Sequence, residues 1–551
     1  MRVMKKAVAG ILVLALTVST AVAGGSGESE AAVKGKLNKK KVTIATGKSV
    51  KLKIKGKGSA KVTFKSSKKK VAKVTQKGKV TGLKKGKATI TAKVKKGKKS
   101  KKLKCKVTVV KGAKSLKVLD SQKKKVKSVS VTKFSTVKLT AKISPKSSND
   151  IVSWKSSDSD IATVKNGEIT GQYVGKTNVY AKTYSGKKVK IKVTVKAPVM
   201  TGQLKNAYQN DFKIGAAVNT WQLEGNGNYK KAVGLITSQF NSITMENQMK
   251  PDSVLSADTI ESSSNTAVVI NTQTLDKVLS LAKAKGLKLR GHCLVWHSQT
   301  PEWFFHEKYD VEKSYTSASV MKQRMENYIR QVLTYCKQKY PGVVYAWDVV
   351  NEAVEDNGEM RSNSNWYRTY GNYDFITDAF TFARKYAGDG VSLFYNDYNE
   401  YMPVKRDRIF KLVKELYDAG ICDGVGMQSH YSMTYPTMAL VKVAIQRYNS
   451  IAPGKIQIQL TELDIHNTNR TAKSHKKVAD LYESLFKMLL DQKRNNKVNI
   501  SSVTFWGLTD ADTWLTSFKG ETSYPMLFGG DYAAKTAYFS VLNAAGNGGN
   551  K

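Results

Sequence analysis

At 551 residues the chain is longer than one ordinary domain and implies about three. An apolar content of 41% excludes a disordered chain, and four scattered cysteines (Cys105, Cys293, Cys336, Cys422) without CxxC pairs or histidines at ligand spacing argue for buried thiols over a disulfide framework or a metal site. The net charge of +51 is uneven: residues 31–200 hold about 50 lysines against about 5 acidic residues, whereas residues 201–551 hold about 40 basic against about 35 acidic.

The chain opens with a basic start (Arg2, Lys5, Lys6), an apolar run and the small-x-small triplet Ala21-Val22-Ala23. This pattern predicts an export signal over residues 1–23 and a secreted, extracellular protein. The apolar run is short for a membrane span, no later stretch is long and apolar enough to be one, and no stable membrane insertion is expected after cleavage.

Two segments of the front half then repeat one another. VTFKSSKKKVAKVTQKGKVTGLKKGKATITAKV (62–94) matches VSWKSSDSDIATVKNGEITGQYVGKTNVYAKT (152–183), each with period-two alternation and glycine turns at Gly82 and Gly86 or Gly171 and Gly175. Such spacing predicts small antiparallel β sandwiches, placed at 36–110 and 114–196. The shared aromatic-x-Ser-Ser, Ala-x-Val and Thr-Gly pattern resembles bacterial group 2 immunoglobulin-like domains. Their lysine excess reads either as a solvated surface or as attachment to an anionic cell-wall polymer or acid-substituted polysaccharide. Nucleic acid is a poor partner, because lysine dominates without an arginine or aromatic reading surface.

Past the connector Ala197–Met200 the pattern changes to apolar β-type runs alternating with helix-period segments. The runs are 212–219, 241–247, 287–297, 343–352, 391–400, 424–430, 456–466 and 502–510. Eight strand-helix units between 200 and 545 predict a (β/α)8 barrel, so the fold class is multidomain: two all-β sandwiches followed by an α/β TIM barrel. Polar and aromatic residues gather where each run stops, which is where such a barrel works. They include Glu246, Asn247 and Lys250; His292, Trp296 and Gln299; Asn351 and Glu352; Asn396, Asp397 and Tyr398; Gln428 and His430; Glu462 and Asp464; Trp506 and Trp514. An isolated strand-end glutamate is ordinarily a surface charge. Here Glu352 and Glu462 end runs that should be buried, on the fourth and seventh strands, across the barrel mouth, and two facing carboxyl groups are what glycoside hydrolysis uses.

The segment 200–545 resembles glycoside hydrolase family 10, the xylanase family, through GHCLVWHSQTPEW (291–303), WDVVNEAVEDNG (347–358), YNDYN (395–399), GMQSHY (426–431), TELDI (461–465) and WGLTDADTW (506–514). The resemblance implies a retaining endo-1,4-β-xylanase that needs no cofactor and acts on xylan and xylo-oligosaccharides. It implies Glu352 as acid/base, Glu462 as nucleophile, Asn351 as the contact to the sugar 2-hydroxyl, and His430 and Asp464 as support for Glu462. Implied substrate contacts are Glu246, Asn247, Lys250, His292, Trp296, Gln299, Tyr398, Gln428, Trp506 and Trp514, with Trp514 crowding a hydroxymethyl group that xylose lacks. Without the resemblance a β-1,4-glucanase or a non-catalytic polysaccharide-binding adhesin stays open, and His306, His466 and His475 read as surface or structural.

Overall fold

The structure is a computed structural model that describes residues 33–261 and 264–546. The expected export signal over 1–23 lies outside the described residues. Within them, no helix is long and apolar enough to cross a membrane, and all four cysteines are buried and free.

Two compact units account for the described chain: one runs through Lys117 and adds Lys142–Ser153 and Lys182–Lys188, the other holds Val118–Ala141, Trp154–Ala181 and everything from Val189 onward. The first sandwich has a four-stranded sheet in the order Lys41–Ala45, Lys99–Val110, Gly86–Lys96, Lys61–Ser66, and a three-stranded sheet from Ser49–Lys51, Lys79–Gly82 and Ala72–Val74. Alternation decides which side faces in. Along 86–96, Ala88, Ile90, Ala92 and Val94 are buried, while Lys87, Lys93 and Lys95 are exposed. The second sandwich repeats the plan, with 136–138 and 162–165 both antiparallel to Glu168–Gly171.

The expectation of purely antiparallel sandwiches needs one correction. Lys41–Ala45 runs parallel to 106–110, and Ser128–Thr132 parallel to 192–196. In each case nearly the whole domain lies between the paired strands, which gives the chain the long return that parallel pairing requires.

The rest of the second unit is a closed barrel of eight parallel strands: β1 (Lys213–Val218), β2 (Ser242–Met245), β3 (Lys288–Trp296), β4 (Val344–Asn351), β5 (Ser392–Asp397), β6 (Gly424–Met427), β7 (Gln457–His466) and β8 (Ile500–Phe505). Each pairs with the next, β6 joins β7, and Lys213 opposite Ser502 closes β8 on β1. Seven of the predicted runs match within a few residues. The eighth strand starts at Ile500 and stops at Phe505, so 506–510 are loop. The backbone N–H of Trp506 makes the last ladder bond to β7, to Leu463 O at 3.0 Å, and the chain leaves the sheet at Gly507, with φ +141 and its N–H folded back to Phe505 O at 2.9 Å.

Helical segments cover the outside, and Ala318–Lys339 illustrates why they form. Its buried Met321, Met325, Ile329, Val332 and Cys336 recur at helical spacing, and Ser317 caps its start by accepting from Val320 N–H. Such a cap is worth about 1 kcal/mol. Between the barrel and its outer helices, Gly291 on β3 lies flat against Trp347 on β4, where a Cβ would come within 2.3 Å of the indole. The buried Trp347 therefore depends on a missing side chain, and truncating it would cost about 3–5 kcal/mol.

Candidate active site

A cavity of about 840 Å³ opens at the carboxyl end of the barrel; the fifteen residues with an implied role line it, and of the strand-end residues Asn396 and Asp397 lie buried behind it. Strands β2 to β8, or the residues directly after them, deliver the lining because the carboxyl end of a barrel strand points its side chains over the mouth rather than into the packed interior.

Glu462 on β7 is 5% exposed. Its Oε1 accepts from Asn396 Nδ2 at 2.8 Å, and its Oε2 faces His430 Nε2 at 3.2 Å. The other ring nitrogen, His430 Nδ1, lies 3.0 Å from Asp464 Oδ2, which also accepts from Trp514 Nε1 at 2.9 Å. His430 and Asp464 are direct register partners of adjacent parallel strands, which is what sets the imidazole between the two carboxylates. Burial works against a charged imidazole, but Asp464 and Glu462 together raise the His430 pKa to about 10. Burial likewise opposes ionisation of Glu462, yet the hydrogen bond from His430 and the charges of His292 and His430 outweigh it and hold the carboxyl at about 2. Glu462 is therefore an ionised carboxylate throughout the neutral range, held in one orientation by two donors.

Glu352 stands just past β4 with φ +58, a left-handed conformation that costs a non-glycine residue about 1–3 kcal/mol. Three backbone contacts hold the strained turn: Glu352 N–H donates to Asn396 O at 2.9 Å, Arg361 Nε to Glu352 O at 2.7 Å, and Ala353 N–H to the Tyr395 hydroxyl at 2.9 Å. The carboxyl group, 14% exposed, accepts from Trp296 Nε1 at 3.0 Å, Gln428 Nε2 at 2.8 Å and Asn351 Nδ2 at 3.2 Å.

Amide orientations follow from the network. Asn351 Oδ1 accepts from both Asn396 Nδ2 (2.8 Å) and Gln428 Nε2 (3.3 Å), which commits its Nδ2 to the Glu352 side of the cavity. Asn396 is fixed in turn, since its Oδ1 accepts from Thr461 Oγ1 at 2.6 Å. Through Asn351 and Asn396 the two glutamates share one rigid amide bridge.

One wall of the cavity is built on the ends of β2 and β3. Lys250 Nζ donates to Gln299 Oε1 at 2.7 Å and Asn247 Oδ1 at 3.1 Å and lies 4.9 Å from the Trp296 ring centroid. Glu246 accepts from Asn219 Nδ2 at 2.8 Å, and burial raises its pKa despite that bond and the charge of Lys250. His292 Nδ1 faces Asp348 Oδ2 at 2.9 Å, which leaves Nε2 for the cavity, and Asp348 is itself paired with the buried Arg290. Opposite, Tyr398 is held by Arg361 Nη2 at 3.2 Å and by Lys405 Nζ 3.4 Å from its ring centre. Trp506 meets His292 edge-on at 5.4 Å, while Trp514 lies 4.9 Å from His430 and 4.6 Å from the exposed Phe518.

Several residues in or directly behind the cavity carried no role in the sequence reading. Asn396 stood among the strand-end residues, yet its part in bridging the two acids appears only in three dimensions. Tyr401, Tyr435 and Phe518 also line the cavity, as does His466, which the sequence reading placed at the surface or in a structural role. His306 and His475 are buried and do not line it.

Residues 203–544 match Glycosyl hydrolase family 10, and 31–112 and 122–195 match the group 2 bacterial Ig-like domain. The chain is 43% identical over 346 residues to endo-1,4-beta-xylanase B of Butyrivibrio fibrisolvens, covering 62% of this chain and 53% of that protein. It is 38% identical over 359 residues to endo-1,4-beta-xylanase Y of Acetivibrio thermocellus, covering 62% of this chain and 32% of the relative. It thus spans a third to a half of the length of these relatives. Among solved structures, xylanase XynB from Paenibacillus barcinonensis in complex with a conduramine derivative superposes with a TM-score of 0.54 at 34% identity, covering 63% of this chain and 99% of the other. With the family matched over more than half its length and two carboxyl groups set in one cleft, the chain belongs to glycosyl hydrolase family 10, preceded by two bacterial Ig-like domains of group 2.

Proposed function

We propose that this protein is a secreted endo-1,4-β-xylanase that hydrolyses internal bonds of xylan with net retention at the anomeric carbon. The observation that carries this reading is the unequal pair in one cleft: Glu462 ionised and braced by His430, Glu352 more open and held by neutral donors. A Glu462 oxygen attacks the anomeric carbon while the glycosidic oxygen departs with the proton of Glu352. Water then gives a proton to Glu352, its oxygen attacks the same carbon, and the bond to Glu462 breaks. Asn351 Nδ2, turned to the cleft by its two donors, holds the sugar 2-hydroxyl. The Trp514 indole, fixed by Asp464, crowds the space a hydroxymethyl group would need, which favours a pentose.

The basic start and Ala-Val-Ala triplet support export. The Ig-like region serves attachment to anionic cell wall or polysaccharide. Residues 31–112 hold 31 lysines and no Asp or Glu, and Lys41 opposite Lys106, Lys61 opposite Lys95 and Lys93 opposite Lys102 set like charges face to face across strands. Such pairs cost stability unless a polyanion neutralises them.

The test is the anomeric form of the first products from xylan, followed in real time. β products appearing before mutarotation are expected. α products, or a faster rate on soluble cellulose than on xylan, would overturn the reading.

A further inference from the structure

One corner of the second sandwich is built for contact. Lys133 follows the strand Ser128–Thr132, and its side chain is 2% exposed, with Nζ 2.9 and 3.1 Å from the two carboxylate oxygens of Asp531, on the segment beyond β8. The same Nζ lies 5.0 Å from the Tyr173 ring centre. Phe134 sits 4.7 Å from the His475 ring, and Arg470 lies 5.0 Å from Tyr173. On the barrel side the backbone has been cleared to match: a Cβ on Gly529 would come within 2.6 Å of Lys133 Nζ, and one on Gly530 within 3.4 Å of the Tyr173 hydroxyl oxygen.

The first sandwich supplies an internal control, because the same backbone hydrogen bonds mark equivalent positions. Thr46 N–H donates to Val110 O as Lys133 N–H does to Lys196 O; Gly47 donates to Gly82 O as Phe134 does to Gly171 O; Lys84 donates to Val71 O as Tyr173 does to Ile161 O. Thr46, Gly47 and Lys84 are all exposed, whereas Lys133 is buried and Phe134 and Tyr173 are half-buried. Phe134 even keeps φ +64 where the first sandwich has glycine at φ +81, so the second domain accepts a strained aromatic residue at this corner.

The segment it holds is the one that shapes the cleft. Asp531 belongs to the turn in which Gly529 N–H donates to Ala533 O, and Asp510, midway between Trp506 and Trp514, is tied to that turn by its N–H to Phe528 O at 3.0 Å and by Lys535 Nζ at 2.9 Å. We propose that the second Ig-like domain is a fixed part of the catalytic unit, its Lys133–Phe134–Tyr173 corner bracing the segment after β8 and so positioning the tryptophan wall of the cleft. Lys133 is a positioning residue: it touches no substrate and acts through Asp531.

The full chain is the right material for the test, with KM and kcat measured on the β-1,4-glycan it hydrolyses. Lys133→Met and Phe134→Gly, the latter restoring the residue of the first sandwich, are each expected to raise KM about three- to tenfold with kcat within about twofold, and to lower the melting temperature; Lys133→Arg should keep most of the wild-type KM. If Lys133→Met yields no folded protein, Phe134→Gly decides. Unchanged KM in a folded variant, even one with a lowered melting temperature, would overturn the proposal and reduce the corner to a structural joint.

Discussion

The β7 and β4 sides of the cleft treat the same side chain in opposite ways. On β7, Glu462 is sealed in, bonded to an amide and to an imidazolium that is itself caught between two carboxylates. On β4, Glu352 sits just past the strand on a strained turn, keeps more exposure, and faces an indole, two amides and, at 3.9 Å, the ring of His297, whose pKa burial lowers. The different roles proposed for these two chemically alike groups rest on this contrast: only Glu462 has a charged partner at hydrogen-bond distance. A nucleophile needs a fixed charge, and an acid/base needs a position from which a proton can come and go.

Substitution by alanine should expose that difference most strongly. Glu462→Ala is expected to lower kcat on xylan and on activated aryl xylosides alike, by about 10⁴-fold or more. Glu352→Ala should lose about 10²–10⁴-fold on xylan but keep the first step on an aryl xyloside whose leaving group needs no proton, so that a burst of aryl alcohol precedes a slow steady state. Equal losses on both substrates in both variants would erase the asymmetry.

The next effect is on pH dependence. Glu462 is held near 2, so the stability it contributes is present above the ordinary glutamate range and is lost as pH falls towards 2. His430 is raised to about 10, so its contribution is complete below about 6.5 and is lost as pH rises through 10. His430→Asn should therefore shift the acid limb of kcat/KM to higher pH, because buried Glu462 loses the hydrogen bond that most favours its ionised form and one of its two nearby positive charges, and should flatten the fall in melting temperature between neutral pH and pH 10. An unmoved acid limb would mean that His430 does not set the charge on Glu462.

The smallest expected effect is on selectivity. Trp514→Ala removes the wall and one donor to Asp464, and should narrow the xylan-to-cellulose ratio of kcat/KM by about tenfold. An unchanged ratio would assign the choice of pentose elsewhere in the cleft.

Much of this was legible before the structure. Barrel strands show as apolar runs because both their faces are buried, and the working residues show because each run stops on a cluster of acids, amides or tryptophans. The end of β8 was misplaced because Trp506-Gly507-Leu508 reads as a continuing apolar run, while Gly507 turns the chain out at φ +141. Asn396 went without a role since its function lies in joining residues 45 and 66 positions away. Lys133 was one lysine among about 50 in the front half, and nothing local separates a buried, paired lysine from a solvated one. The parallel pairing of Lys41–Ala45 and of Ser128–Thr132 with the last strand of their sandwich was missed for a related reason: alternation reports which face is buried and carries no direction.

The most direct test of the central claim is to incubate the protein with an aryl 2-deoxy-2-fluoro-xylobioside, whose fluorine slows release of the trapped sugar, and to map the labelled peptide by mass spectrometry. The ester is expected on Glu462, within Gln459-Leu460-Thr461-Glu462-Leu463. A label on Glu352, or a reaction that releases the aryl group without any labelled carboxylate, would contradict the account.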